Sequence, residues 1–252
     1  MRRHSTFRTG NPALSSETFK NASRTTNEKM TLEGTINKSG ISLLILMMTA
    51  FYTFTTENVN FISIGLIGGF VLALITIFKK EWAPYTTPFY AALEGLALGG
   101  ISIVFNSMYP GIAQQAVFLT FGIFGALLFA YKSQMIKATE NFKLGLVAAT
   151  GGIMIAYIIN LIVSWWSGSN LYFMTLGQPG APAPMISIGF SVFVVIIASL
   201  NLVLDFDFIE QGCEIGAPKY MEWYAAFGLL VTLIWLYIEI LRLLAKLQSR
   251  RN

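Results

Sequence analysis

Acidic side chains in this chain fall where acids are costly. Glu94 lies inside the apolar stretch Glu94-Gly95-Leu96-Ala97-Leu98-Gly99-Gly100. Asp205 and Asp207 close another apolar run, with Glu210 and Glu214 after them, and Glu222 opens a third. Asn201 precedes Asp205 by one helical turn, so a helix would put both on one face. An ionisable group at the centre of a bilayer costs roughly 2.5–3.5 kcal/mol on insertion scales, which makes each a candidate for function. Clustered, partly buried carboxylates titrate together and hold protons more strongly than isolated ones. Their oxygens also suit a hard cation. Glu94, Asp205, Asp207 and Glu222 are therefore the expected gate or pH-sensing group, gathered in one acidic cluster. Asp205, Glu94 and Asn201 are the expected ion-binding set. Two plainer roles compete: Asp205 and Asp207 as an acidic helix end at the headgroups, and Glu94 as a hydrogen-bonding strut between helices. Glu239 stands three residues before Arg242, which reads as a local ion pair.

Catalytic chemistry finds little support. No His-Glu-x-x-His pattern offers a zinc site, and no Gly-rich loop of the P-loop type is present. The single histidine, His4, lies in a polar tail and cannot serve a Ser/His pair inside a membrane. An intramembrane aspartyl protease needs an Asp on each of two facing helices, whereas Asp205 and Asp207 sit two apart on one. The one cysteine, Cys213, cannot form an internal disulfide. The expectation is a protein that is not an enzyme and needs no metal or cofactor.

The elements that carry these acids are long apolar runs. Of the 252 residues, 54% are hydrophobic and 12% charged, against about 25% charged in an average soluble domain. A helix crosses the hydrocarbon core with roughly 17–25 residues. Runs of that kind cover about 39–55, 61–78, 88–108, 113–131, 144–166, 184–204 and 223–245. The fold class is thus all-α, a polytopic membrane bundle of about seven transmembrane helices. Residues 1–36 form a polar, basic, mostly disordered tail, and 37–252 the transmembrane domain. The first run is short, and Asn37 and Lys38 are expected to snorkel at its end.

Lys and Arg alternate across the connections. The tail and its junction hold Arg2, Arg3, Arg8, Lys20, Arg24, Lys29 and Lys38; the second connection Lys79 and Lys80; the fourth Lys132, Lys137 and Lys143; the sixth Lys219. The first, third and fifth connections hold none. This pattern predicts a cytoplasmic N-terminus, and the expected location is a cytoplasmic (inner) membrane. The pattern also spreads the basic residues over membrane-flanking segments, which argues against nucleic acid as a partner. Arg242, Lys246, Arg250 and Arg251 break the alternation, so the last run either crosses or is re-entrant, with crossing favoured. Gly65 with Gly69, and Gly95 with Gly99, have the four-residue spacing that lets helix backbones approach closely.

The ordered set of motifs resembles the Bax inhibitor-1 family (the transmembrane Bax inhibitor motif family), in the bacterial branch with an extended N-terminal tail. The residues that carry it are Glu94 to Gly99, then Asn201-Leu202-Val203-Leu204-Asp205-Phe206-Asp207-Phe208-Ile209-Glu210, then Glu214-Ile215-Gly216-Ala217-Pro218-Lys219-Tyr220, and Ile240-Leu241-Arg242-Leu243-Leu244. The resemblance covers roughly residues 37–247. It implies a seven-helix bundle with the last helix central, and a pH-sensitive calcium leak channel. The alternative it implies is a non-conducting regulator that binds a membrane protease or another membrane partner. Calcium ions or protons are the implied ligands, in a lipid bilayer. In members with a described gate, an Asp ending the sixth span pairs with an Asp on the seventh. Asp205 matches the first of these. The second falls on Thr232 when the closing Leu-Arg-Leu-Leu is aligned, and on Ala226 or Leu230 when Tyr220 is aligned. A basic partner on the second span has no counterpart before Lys79.

Overall fold

The computed structural model describes residues 28–177 and 179–251. Among them lie seven helices long and apolar enough to cross a membrane. We number them α1 (Leu32–Thr56), α2 (Phe61–Phe78), α3 (Ala83–Met108), α4 (Ile112–Lys132), α5 (Glu140–Ser167), α6 (Met185–Glu214) and α7 (Met221–Gln248). No strand occurs among the described residues; one isolated antiparallel bridge joins Lys29 and Pro218. The protein is an all-α, integral multi-pass membrane protein.

Helix ends follow capping chemistry more closely than hydropathy. Thr31 caps α1, its hydroxyl accepting from Gly34 N at 3.0 Å, so the helix starts well before residue 39. Thr139 does the same for α5 through Phe142 N, 3.3 Å away. Pro88 lies inside α3 rather than at its start. The backbone bond it forgoes would reach Pro84, in the first turn, so the helix loses little. Gly168 ends α5 at φ 69°, a left-handed conformation that glycine adopts without steric cost.

The residues fall into two compact units. The first comprises the chain up to Ile103 together with Leu204–Val231. In it, the spaced glycines are contact points. A Cβ on Gly65 would meet Leu93 O and Ala97, and one on Gly99 would meet Ala50 O and Thr53. The buried face of α1 is mostly small and polar, with Thr35, Ser42 and Thr53 beside Leu46. Tyr90 and Phe227 meet edge to face at 4.9 Å in this core. The second unit comprises Val104–Val203 with the end of the chain from Thr232. There Tyr157 and Phe173 both pack edge-on against Phe190.

Outward surfaces are apolar. Phe51, Ile67, Phe70, Leu161 and Ile162 are exposed, and Trp165 and Trp166 at the end of α5 are almost wholly so. Water would not tolerate that surface; lipid does, with tryptophans favoured at the interface. The last helix is the most enclosed: 67% of its apolar window is buried, against 17% for α1. It is one uninterrupted helix of 28 residues, about 42 Å long at 1.5 Å per residue, which is long enough to cross a membrane. Its C-terminal end is tied to the α5–α6 connection. Ser249 Oγ accepts from Ala183 N at 3.0 Å, and Arg250 donates to Ala183 O at 3.2 Å.

Candidate functional site

Asp205 is the most enclosed of the expected site residues on α6, with no solvent exposure at all. Asn201 stands one turn earlier and is also buried. Its amide nitrogen donates to Thr150 Oγ1 of α5 at 2.9 Å and to Ile197 O at 2.8 Å. That leaves Asn201 Oδ1 buried without a hydrogen bond. Asp207 is only half-buried and accepts from Gln211 Nε2 one turn on. Two residues on a helix are about 200° apart, so Asp205 and Asp207 leave the helix in different directions.

Glu94 is half-buried on α3, against Gly69 of α2. A side chain at position 69 would run into the Glu94 carboxyl group. The Gly65/Gly69 spacing therefore serves two ends: it brings α2 onto α3 and makes room for an acid between them.

Glu222 does something the sequence did not suggest. It is fully buried at the start of α7 and forms a clamp on the chain's N-terminal segment. Its Oε1 accepts from Thr31 N and Thr31 Oγ1, both at 2.9 Å, and lies 3.4 Å from Lys219 Nζ. Its Oε2 is paired with Lys38. Lys38 thus turns inward rather than snorkelling, and its ammonium also lies 5.9 Å from the centre of the Trp223 ring. Alongside, Met30 N donates to Ala217 O and Lys219 N to Glu28 O, which seats residues 28–30 on the α6–α7 connection. Gly34 is required here, since a Cβ would collide with the Glu222 carboxylate.

The four acids have different surroundings. Among the described residues, no three acidic, histidine or cysteine side chains gather as a metal cage. Glu222 holds its clamp, Asp207 accepts from Gln211 on its own helix, and Asp205 and Glu94 lie in apolar helices of the first unit. None of the positions aligned with a second gate aspartate carries an acid; Thr232, Ala226 and Leu230 are all buried.

Sequence reasoning gave Glu239 only its local pair. That pair is present, Arg242 to Glu239 Oε1 at 3.0 Å, but the carboxyl group is also buried and accepts from Tyr157 OH at 2.8 Å. It missed Lys246, a buried lysine that donates to Ser187 O at 3.2 Å and Ser191 Oγ at 2.8 Å. The available signal was its place on an apolar helix seven residues after Glu239, on the same face.

Compared with known proteins, residues 11–249 match the family model described as Bax inhibitor 1 like. The match begins within the basic tail, so it covers more of the chain than the motifs alone suggested. No curated protein matches the chain. A match over nearly the whole length, on a seven-helix membrane fold, is decisive: the chain belongs to the Bax inhibitor 1 like family.

Proposed function

We propose that this protein is a pH-sensitive cation leak channel, calcium being the expected ion, with Asp205 as the gating carboxylate. The observation that carries this reading is a carboxyl group with no solvent exposure in a membrane-spanning helix, at the family's gate position. Such a group is costly to keep charged and gains or loses a proton with large effect on its surroundings. Proton uptake would shift a closed–open equilibrium by its differential interaction with the two states. Glu94 assists as the second embedded acid, and Asn201 offers a bare carbonyl oxygen one turn away in sequence. Glu222 is a structural clamp in this reading and no longer a sensor. No catalytic step is assigned.

Orientation belongs to the same proposal. The Lys/Arg pattern supports a cytoplasmic N-terminus, and the cytoplasmic membrane is the location proposed with it. The four basic residues that break the pattern are mostly occupied: Arg242 with Glu239, Lys246 with Ser187 and Ser191, Arg250 with Ala183. They also arrive last, after earlier charges have set the topology.

The test is calcium efflux from liposomes containing only this protein, from about pH 5 to 8, for wild type and Asp205→Asn. A pH-dependent leak whose pH dependence is lost in Asp205→Asn is expected. No flux at any pH from either protein would overturn the channel reading and leave a non-conducting regulator of a membrane partner.

A further inference from the structure

The C-terminal half of α7 carries a second set of buried ionisable groups, all within the second unit. Glu239, Arg242 and Lys246 lie along one stretch of the helix. Glu239 is 1% exposed and Lys246 3%. Glu239 Oε1 takes both hydrogen bonds, from Tyr157 of α5 and from Arg242, whose guanidinium also lies 5.3 Å from the Tyr157 ring centre. Glu239 Oε2 is buried without a hydrogen bond. Lys246 has no ion pair among the described residues. Its nitrogen meets only two neutral acceptors, the Ser187 carbonyl and the Ser191 hydroxyl of α6.

These contacts fit the neutral form of a lysine. A neutral amine has two hydrogens, and two acceptors are present. An ammonium has three, and its charge would be buried with no anion in contact. The nearest unsatisfied anion on the same helix face is Glu239 Oε2, two turns toward the N-terminus, the direction in which helical side chains lean. We propose that Lys246 is a proton-binding site separate from Asp205, with Glu239 as its charge partner, and that its proton occupancy sets how firmly the end of α7 is held to the start of α6. The proton comes from water at the C-terminal end of the helix: the amine lone pair takes it to give an ammonium, and returns it on release. In the neutral form the amine bridges α7 to Ser187 and Ser191. In the charged form it is drawn toward Glu239, and the bridge weakens.

Other titratable or charged groups face this site. Tyr157 comes from α5, Arg242 from α7 itself, Arg250 from the segment after it, and Tyr109, buried beside Ser249, from the α3–α4 connection. Ser187 and Ser191, the α6 residues that touch Lys246, do not titrate.

The experiment needs no ion flux, so its failure is distinct from failure of the channel reading. Potentiometric titration of the full chain in nanodiscs counts protons bound between about pH 6 and 9, within the span of buried-lysine perturbation. Lys246→Met is expected to lose up to one proton equivalent relative to wild type, and Glu239→Gln to move that uptake to lower pH. Spin labels at Met185→Cys and Arg251→Cys, with Cys213→Ser, report the α6–α7 separation. It is expected to change with pH in wild type and to stay fixed in Lys246→Met and in the permanently charged Lys246→Arg. An unchanged proton count in a folded Lys246→Met protein overturns the proposal and leaves Lys246 a packing residue. So does a label distance that responds to pH equally in all three proteins.

Discussion

Glu222 and Gly34 make the clamp testable one side chain at a time. Glu222 draws donors from Thr31, Lys38 and Lys219, and hydrogen bonds to a charged group contribute about 1.5–3 kcal/mol each when well formed. Lys38 and Lys219 are partly exposed and regain water when the acid is removed, which offsets part of the loss. Glu222→Gln is therefore expected to lower stability by about 2 kcal/mol, read as a lower melting temperature in detergent. An unchanged melting temperature would show that the clamp contributes nothing. Gly34→Ala tests the same contact by its sign. Helix propensity alone predicts a gain of about 1 kcal/mol, while collision with the Glu222 carboxylate predicts a loss. A loss is expected in the wild-type background and a gain once Glu222 is replaced by Ala, the non-additivity of coupled neighbours. The sequence could not reveal this pair. Lys38 and Glu222 are 184 residues apart, and each has an ordinary local explanation, one as a snorkelling lysine and one as a helix-opening acid.

At the scale of elements, the spaced glycines divide into those that position helices and those that do not. Gly99 of α3 lies against Ala50 and Thr53 of α1, while Gly122 of α4 has nothing within 4 Å of where a Cβ would stand. Gly99→Val is expected to cost about 2 kcal/mol or more through overpacking. Gly122→Ala is expected to be neutral or to stabilise by up to about 1 kcal/mol. Thermal unfolding of the two variants side by side separates them, and equal effects would mean that α1 and α3 are not held in this register. The small-xxx-small spacing was legible because it is local. Helix ends were less so. Hydropathy locates where lipid begins, but α1 starts at Leu32 because Thr31 caps it, and its first turns lie against protein: Thr35 is buried although polar. Likewise α6 runs on to Glu214, ten residues past the end of its apolar run, since no proline interrupts Asp205 to Glu214 and the lone Gly212 is tolerated.

For the whole molecule, the deciding feature is an odd number of crossings. Under the proposed orientation, seven crossings would put the two chain ends on opposite sides of the membrane. The bonds from Ser249 and Arg250 to Ala183 place the basic end after α7 against the α5–α6 connection directly. Charge counting alone left this open, because Arg242, Lys246, Arg250 and Arg251 oppose the alternation of every earlier Lys and Arg. The tension eases because three of those four side chains, Arg242, Lys246 and Arg250, are held by intramolecular partners. Single cysteines in a Cys213→Ser background test it. With a membrane-impermeant thiol reagent on intact cells, Asn58→Cys and Arg251→Cys are expected to label together, and Lys137→Cys only after the membrane is opened. Labelling of Arg251→Cys together with Lys137→Cys would mean that α7 turns back within the membrane. The buried bridge from Lys246 to the start of α6 would then have to be abandoned as well, because it requires α7 to span the bilayer.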